Sequence, residues 1–225
     1  MGQSNQKAMK SLLLIILFAF VIAIFFYLFN MQKDGDDVPE VHLEKATYNK
    51  AMNKVREEKD VEFADSTTSR FNAEERAEFH GLNYFEPDSY YRIKVVFSVD
   101  TSTPVFKMPT NTERTPNYRI YGFFDFKIHD TICRLTAFQN MDFKDDPEWG
   151  GYLFVPFSDK TSGNESYGAG RYIDIKIPAE ENVFLDFNEA YNPYCAYSDR
   201  WSCPLVPFEN YLEVRIPAGE KKYNH

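Results

Sequence analysis

Residues 91–100 read YRIKVVFSVD, and their period of two decides the fold. Ile93, Val95, Phe97 and Val99 fall on one side of an extended chain and Arg92, Lys94, Ser98 and Asp100 on the other, the pattern of a strand with one face in a core and one in water. Downstream the alternation returns at Tyr118, Ile120, Phe124, Phe126 and Ile128, which predicts one long strand with all five on its apolar face and Gly122 as a bulge or close-packing point. After the polar His129-Asp130 turn, Cys133, Leu135 and Ala137 repeat it. Further strands are expected near 152–157, 170–177, 183–187 and 211–216. Strands joined by short polar loops, without helices between them, predict a mainly β fold, an antiparallel barrel or sandwich.

Upstream the period is helical. Tyr48, Met52 and Val55 form a narrow apolar stripe across 41–58, as suits a surface helix resting on a domain. A second, shorter helix is expected at 73–80, with Asn72 as N-cap, Glu75 returning a hydrogen bond and Gly81 ending it. One or two short N-terminal helices therefore precede the strands.

Residues 12–29 read LLLIILFAFVIAIFFYLF, without charge or helix breaker. At about 1.5 Å per residue the run spans roughly 27 Å, close to the hydrocarbon thickness of a bilayer. The exit Phe29-Asn30-Met31-Gln32-Lys33 lacks the small residues a signal peptidase needs, so an anchor is the preferred reading over a cleaved signal. Lys7 and Lys10 precede the run and Asp34, Asp36 and Asp37 follow it, which places the N-terminus in the cytoplasm. The expected organisation is a cytoplasmic tail over 1–10, a single transmembrane helix over 11–30, a tether over 31–40 containing Gly35 and Pro39, and one extracytoplasmic β-rich domain over 41–225.

Charge and composition narrow the function classes. The chain holds 34 acidic and 25 basic side chains, a net charge of −9, and with Lys7 and Lys10 set aside the exported part carries 23 basic against 34 acidic, or −11. So acidic a domain is a poor partner for nucleic acid and stands off anionic lipid. Aromatics make up 17% of the chain, enough to argue against disorder and for an aromatic core or groove.

Residues 157–175 read FSDKTSGNESYGAGRYIDI and 185–221 read LDFNEAYNPYCAYSDRWSCPLVPFENYLEVRIPAGEK. The YGAGRY stretch followed by DFN, AYNPYC, SCPL, EN and AGEK resembles the bacterial family catalogued as domain of unknown function 1684. The upstream FHGLNYFEPDSYYRIKVVF, residues 79–97, is similar to short, Bacteroidetes-like members of that family. The resemblance implies a bacterial cell-envelope protein, and the run at 12–29 with its flanking charges then places it in the inner (cytoplasmic) membrane, single-pass, with its C-terminal domain periplasmic or extracellular. It carries no catalytic role, since the family has no established activity.

The residues themselves nominate a polar site. Arg171 shares a strand face with Ile173, Ile175 and Ile177, where an arginine needs a partner, and Asp186 is the preferred one, with Asp174 on the opposite face. Such a pair either locks two strands together or belongs to a pocket with Asp186, Asn188, Asn192 and Tyr197. Cys195 and Cys203 lie in a long loop over 188–210. They form a disulfide worth about 2.5 kcal/mol on the chain-entropy model, stay free thiols, or act as metal or catalytic thiolates. Cys133 reads as inert core.

Other motifs fail on context. Ser158-Asp159-Lys160-Thr161 is similar to a phosphoaspartate loop but lacks the following glycine and the βαβ framework. Gly168-Ala169-Gly170 precedes a strand rather than opening a helix. His42, His80, His129 and His225 show no ligand spacing, so no metal and no cofactor are expected. Two readings compete: an anchored module binding a small molecule or an envelope protein, and an envelope hydrolase using Asp186 as base or Cys195 as nucleophile.

Overall fold

A computed structural model of the protein describes residues 45–100 and 102–224. The expected tail, transmembrane helix and tether lie outside them. Among the described residues no helix is long and apolar enough to cross a membrane.

Helix α1 spans Lys45–Ala64 and buries Tyr48, Met52, Arg56 and Phe63. The expected stripe is thus displaced: Val55 is exposed and Arg56 takes the inward position. Arg56 is tolerated there because it donates to the Phe85 carbonyl at 2.8 Å and its guanidinium lies 4.5 Å from the Tyr84 ring centroid, its stem covering apolar surface. Helix α2, Ala73–Ala77, is shorter than expected but has the anticipated capping box, Asn72 accepting from the N–H groups of Glu74 and Glu75 while Glu75 accepts from that of Asn72. Phe63, Phe71, Leu82 and Tyr197 pack together, with Phe63 edge-on to both Phe71 and Tyr197, and fix α1 to the chain around α2 and to the C-terminal loop.

The strands are β1 Arg92–Val99, β2 Phe106–Lys107, β3 Asn117–Ile128, β4 Thr131–Asn140, β5 Tyr152–Asp159, β6 Arg171–Lys176, β7 Asn182–Asp186 and β8 Tyr211–Leu212. They form one sheet in the order β6-β5-β4-β3-β1-β7, with β2 on the start of β3 and β8 on the end of β5. The order-defining pairs are antiparallel, and only β8 runs parallel to its neighbour. The sheet curls so that Phe187, just past β7, packs edge-on against Phe157 of β5. The expected barrel or sandwich is therefore a half-closed antiparallel sheet. Of the strand expected at 211–216 only the first two residues are regular.

The expected single face of β3 does not exist. Its register on β4 shifts between Ile120 and Gly122, and a bulge of one residue turns every later side chain to the opposite face. Phe124, Phe126 and Ile128 accordingly join Leu135, Ala137, Leu153, Val155, Phe157 and Ile173 in the main core. Tyr118 and Ile120 instead join Met108, Phe138, Phe106 and Phe154 in a second cluster. Gly122 is required at the bulge because a Cβ there would strike the Ser98 carbonyl of β1. Burial along β4 follows: it alternates to Leu135 and is continuous from Leu135 to Gln139, where both faces are covered.

Between β4 and β5 the ladder is interrupted at Pro156, which has no N–H to give. Asn210 stands in for a strand there. Its side chain accepts from the Thr136 N–H at 2.8 Å and donates to the carbonyls of Thr136 at 2.9 Å and Pro156 at 2.6 Å.

Candidate functional site

The second apolar face of the sheet is only partly covered, and what remains open is a groove of about 590 Å³. Tyr118 of β3, Phe154 of β5 and Tyr172 and Asp174 of β6 line it from the sheet. Tyr191, Pro193 and Tyr194, then Ser202, Cys203 and Pro204, line it from the C-terminal loop. Phe143 and Trp149, both substantially exposed, stand with Tyr152 at its mouth. Local pairing builds these walls: Tyr172 and Tyr191 exchange backbone hydrogen bonds at 2.8 and 3.0 Å, and the Tyr172 hydroxyl donates to the Pro204 carbonyl.

Its charged groups are Lys59, Arg70, Arg114 and Asp174. Lys59 pairs with Glu220 at 2.6 Å and lies 4.9 Å from the Tyr191 ring centroid. The Arg70 guanidinium lies 5.0 Å from the Tyr194 ring centroid, and its buried Nε has no hydrogen-bond partner. Asp174 is half-buried, and the Tyr191 hydroxyl donates to it. Burial raises its carboxyl above the ordinary range, against the Tyr191 bond and the Lys59 charge, and burial beside that carboxyl raises Tyr191 well above a normal phenol.

Of the residues nominated from sequence, Asp174 and Cys203 line this groove. The expected Arg171–Asp186 pair is not formed, because β6 and β7 are the outermost strands of the sheet order. Arg171, fully buried, instead donates to the carbonyls of Ala218, Glu220 (3.2 Å) and Ile216 (3.0 Å) and pairs with Asp159 at 3.4 Å. Asp159 in turn accepts from the Ile216 N–H and the Thr161 hydroxyl, each at 2.6 Å. The SDKT stretch is thus a brace for the C-terminal segment.

Asp186 accepts from the Tyr48 hydroxyl of α1 at 2.7 Å and caps the turn Phe187–Glu189. Asn188 pairs with both backbone groups of Asp88, at 2.9 and 2.8 Å. Asn192 donates its N–H to Glu220 at 2.9 Å and its amide to the Lys221 carbonyl at 2.8 Å, and the Tyr197 hydroxyl donates to Glu220. These residues staple irregular chain, as P-rich loops without a ladder require.

Cys195 and Cys203 are free thiols side by side, the Cys195 N–H directed at the Cys203 sulfur at 3.2 Å. The Cys203 thiol beside it pushes Cys195 down to about 7, with help from Tyr167, while the same contact and burial push Cys203 up. No group of three or more metal-ligating side chains occurs among the described residues.

Sequence reasoning missed Lys59, Arg70, Arg114 and the tyrosines of the groove, and also Glu220 and Asp159 as the buried carboxylates that hold the frame. The abundance of aromatic residues was the one signal of the groove. A half-closed antiparallel sheet with an aromatic, cation-rimmed groove defines the class structurally. The chain matches over residues 77–221 the family described as a protein of unknown function (DUF1684), and it belongs to that family. The solution NMR structure of an uncharacterized protein from Haloarcula marismortui is similar, with 36% identity, a TM-score of 0.59, and coverage of 76% of this chain and 92% of that one. No curated protein matches the chain.

Proposed function

We propose that this protein is a membrane-anchored envelope domain that binds a small organic molecule in the aromatic groove. The observation that carries the reading is a concave site of about 590 Å³ whose walls include eight aromatic side chains and a few polar groups, the composition and size of small-molecule sites. The anchor rests on the uncharged run at 12–29 and the basic residues before it. The hydrolase reading is the weaker one, because Arg171 and Asp186 point their polar atoms into separate structural contacts rather than a shared pocket.

The test is native against denaturing mass spectrometry of the full chain taken from membranes into lipid nanodiscs. A mass excess lost on denaturation and diminished in Tyr152→Ala is expected. Equal masses in both modes, for native chain and variant alike, would remove the binding reading. Alkaline carbonate washing is expected to leave the full chain in the membrane and release a chain beginning at Lys33; release of both would remove the anchor.

A further inference from the structure

We propose that the groove selects a ring-bearing organic anion, with Arg70 and Arg114 receiving its carboxylate, sulfonate or phosphate group. This rests on the groove being a binding site and adds the charge and shape of what enters. The chain as a whole is acidic, with a net charge of −9, yet the groove is lined by three cations against the single carboxylate of Asp174.

The three cations are not equally engaged. Lys59 is held by buried Glu220 at 2.6 Å. The nearest carboxylate to Arg70 is the exposed Glu62 at 3.8 Å, beyond hydrogen-bond reach, and Arg70 Nε is buried with no acceptor. Arg114 is exposed and makes no ion pair among the described residues. Arg56 and Arg171 also keep buried nitrogens without a partner, but of these arginines only Arg70 lines the groove, where its guanidinium has no carboxylate within hydrogen-bond reach. Two guanidinium groups suit a planar or tetrahedral anion, which each can meet with parallel N–H bonds.

The one carboxylate is offset: Asp174 accepts from the Tyr191 hydroxyl and faces the charge of Lys59. The rings supply the rest: Tyr118, Phe154 and Tyr172 present a floor, and Tyr194, against which Arg70 stacks, continues it to the cationic rim. A planar ligand body lies on such a floor with favourable offset or edge contacts. A quaternary or primary ammonium would also find aromatic faces, but it would enter against Arg70 and Arg114, whose charges no carboxylate meets within hydrogen-bond reach.

Three probes with one ring system and different charges separate these cases: 2-naphthoate, 2-naphthol and 2-naphthylmethylamine. Each is titrated by calorimetry into the full chain in zwitterionic nanodiscs, with empty nanodiscs subtracted. Naphthoate is expected to bind at least tenfold more tightly than naphthol, with the amine weakest. Arg114→Gln, an exposed substitution that leaves the frame intact, is expected to cost naphthoate several-fold and leave naphthol unchanged, and Arg70→Gln with it to bring the two probes level. Naphthol equal to naphthoate, or the amine tightest, would overturn the anion assignment while leaving the groove a binding site. No binding by any of the three would overturn both.

Discussion

Arg171 and Tyr172 are neighbours in β6, and the two faces they point to follow different rules. On the Arg171 side the charge is answered: the guanidinium caps three carbonyls of the C-terminal segment through its terminal nitrogens, with only Nε left unpaired, Asp159 faces it, and Thr161 and Ile216 answer Asp159. On the Tyr172 side, Arg70 meets only the exposed Glu62 at 3.8 Å, Arg114 has no ion pair among the described residues, and Asp174 is held in a setting that raises its pKa. A buried charge met by several hydrogen bonds and a counter-ion rigidifies a fold, whereas charges left without a close counter-ion are kept where a partner arrives from outside. The conspicuous polar residues of this chain belong to the first kind. Its candidate function belongs to the second.

The largest effect that could break this contrast is at Arg171. Arg171→Met keeps the volume and removes the charge, leaving Asp159 buried without its counter-ion, a loss of about 3–5 kcal/mol. Thermal unfolding should show a midpoint lower by roughly 10 °C, with probe affinity in the folded fraction unchanged. An unchanged midpoint together with lost affinity would make Arg171 part of a site after all.

The groove wall sharpens the contrast with a somewhat smaller effect. Cys203 lines the groove, and the adjacent Cys195 thiol is acidic enough to react near neutral pH. In an oxidising compartment, exchange with an external disulfide would pass two electrons and two protons to that disulfide and join the pair. Closing so short a loop adds about 2.5 kcal/mol. Protein purified without reductant should melt higher than the same protein with reductant, and Cys195→Ser should abolish the difference. After reduction, an alkylating reagent at pH 7 should label Cys195 and spare Cys133, which is buried and whose thiol burial raises. Identical melting with and without reductant would leave the wall a dithiol.

What could be read from the sequence was whatever a local period encodes. The alternation of β1 and β4, the capping box of Asn72 and the need of Arg171 for a partner all lie within a few residues of one another. The partner itself was hidden, because choosing Asp159 over Asp186 requires knowing that β6 pairs with β5 while β7 sits at the far edge of the sheet. The face of β3 was misread for a related reason: Gly122 announces a bulge, but not that the five alternating residues divide between two cores around it. The groove left the weakest trace. Its lining comes from α1, the chain around α2, β3, β5, β6 and the loop that carries Tyr191 to Pro204, and no spacing connects Arg70 to Tyr194 or Arg114 to Tyr172.

The smallest effect tests the Tyr172 side directly and has the opposite sign. Burial raises the Asp174 carboxyl in the folded state, so the native protein holds that proton more tightly than the unfolded chain. The favourable contribution of the protonated form is then complete below the unfolded carboxylate value of about 3.9 and is lost as pH rises through the folded value. At neutral pH the ionised group works against folding. Asp174→Asn keeps an acceptor for the Tyr191 hydroxyl and removes the charge. It should raise the melting temperature at pH 7 by about 2 °C, a fraction of a kcal/mol in a domain this size, with the gain shrinking towards pH 4. A difference that is constant across pH would mean that the carboxylate is not held at a cost. A gain here beside a loss at Arg171 is what separates a residue kept for the fold from one kept in spite of it.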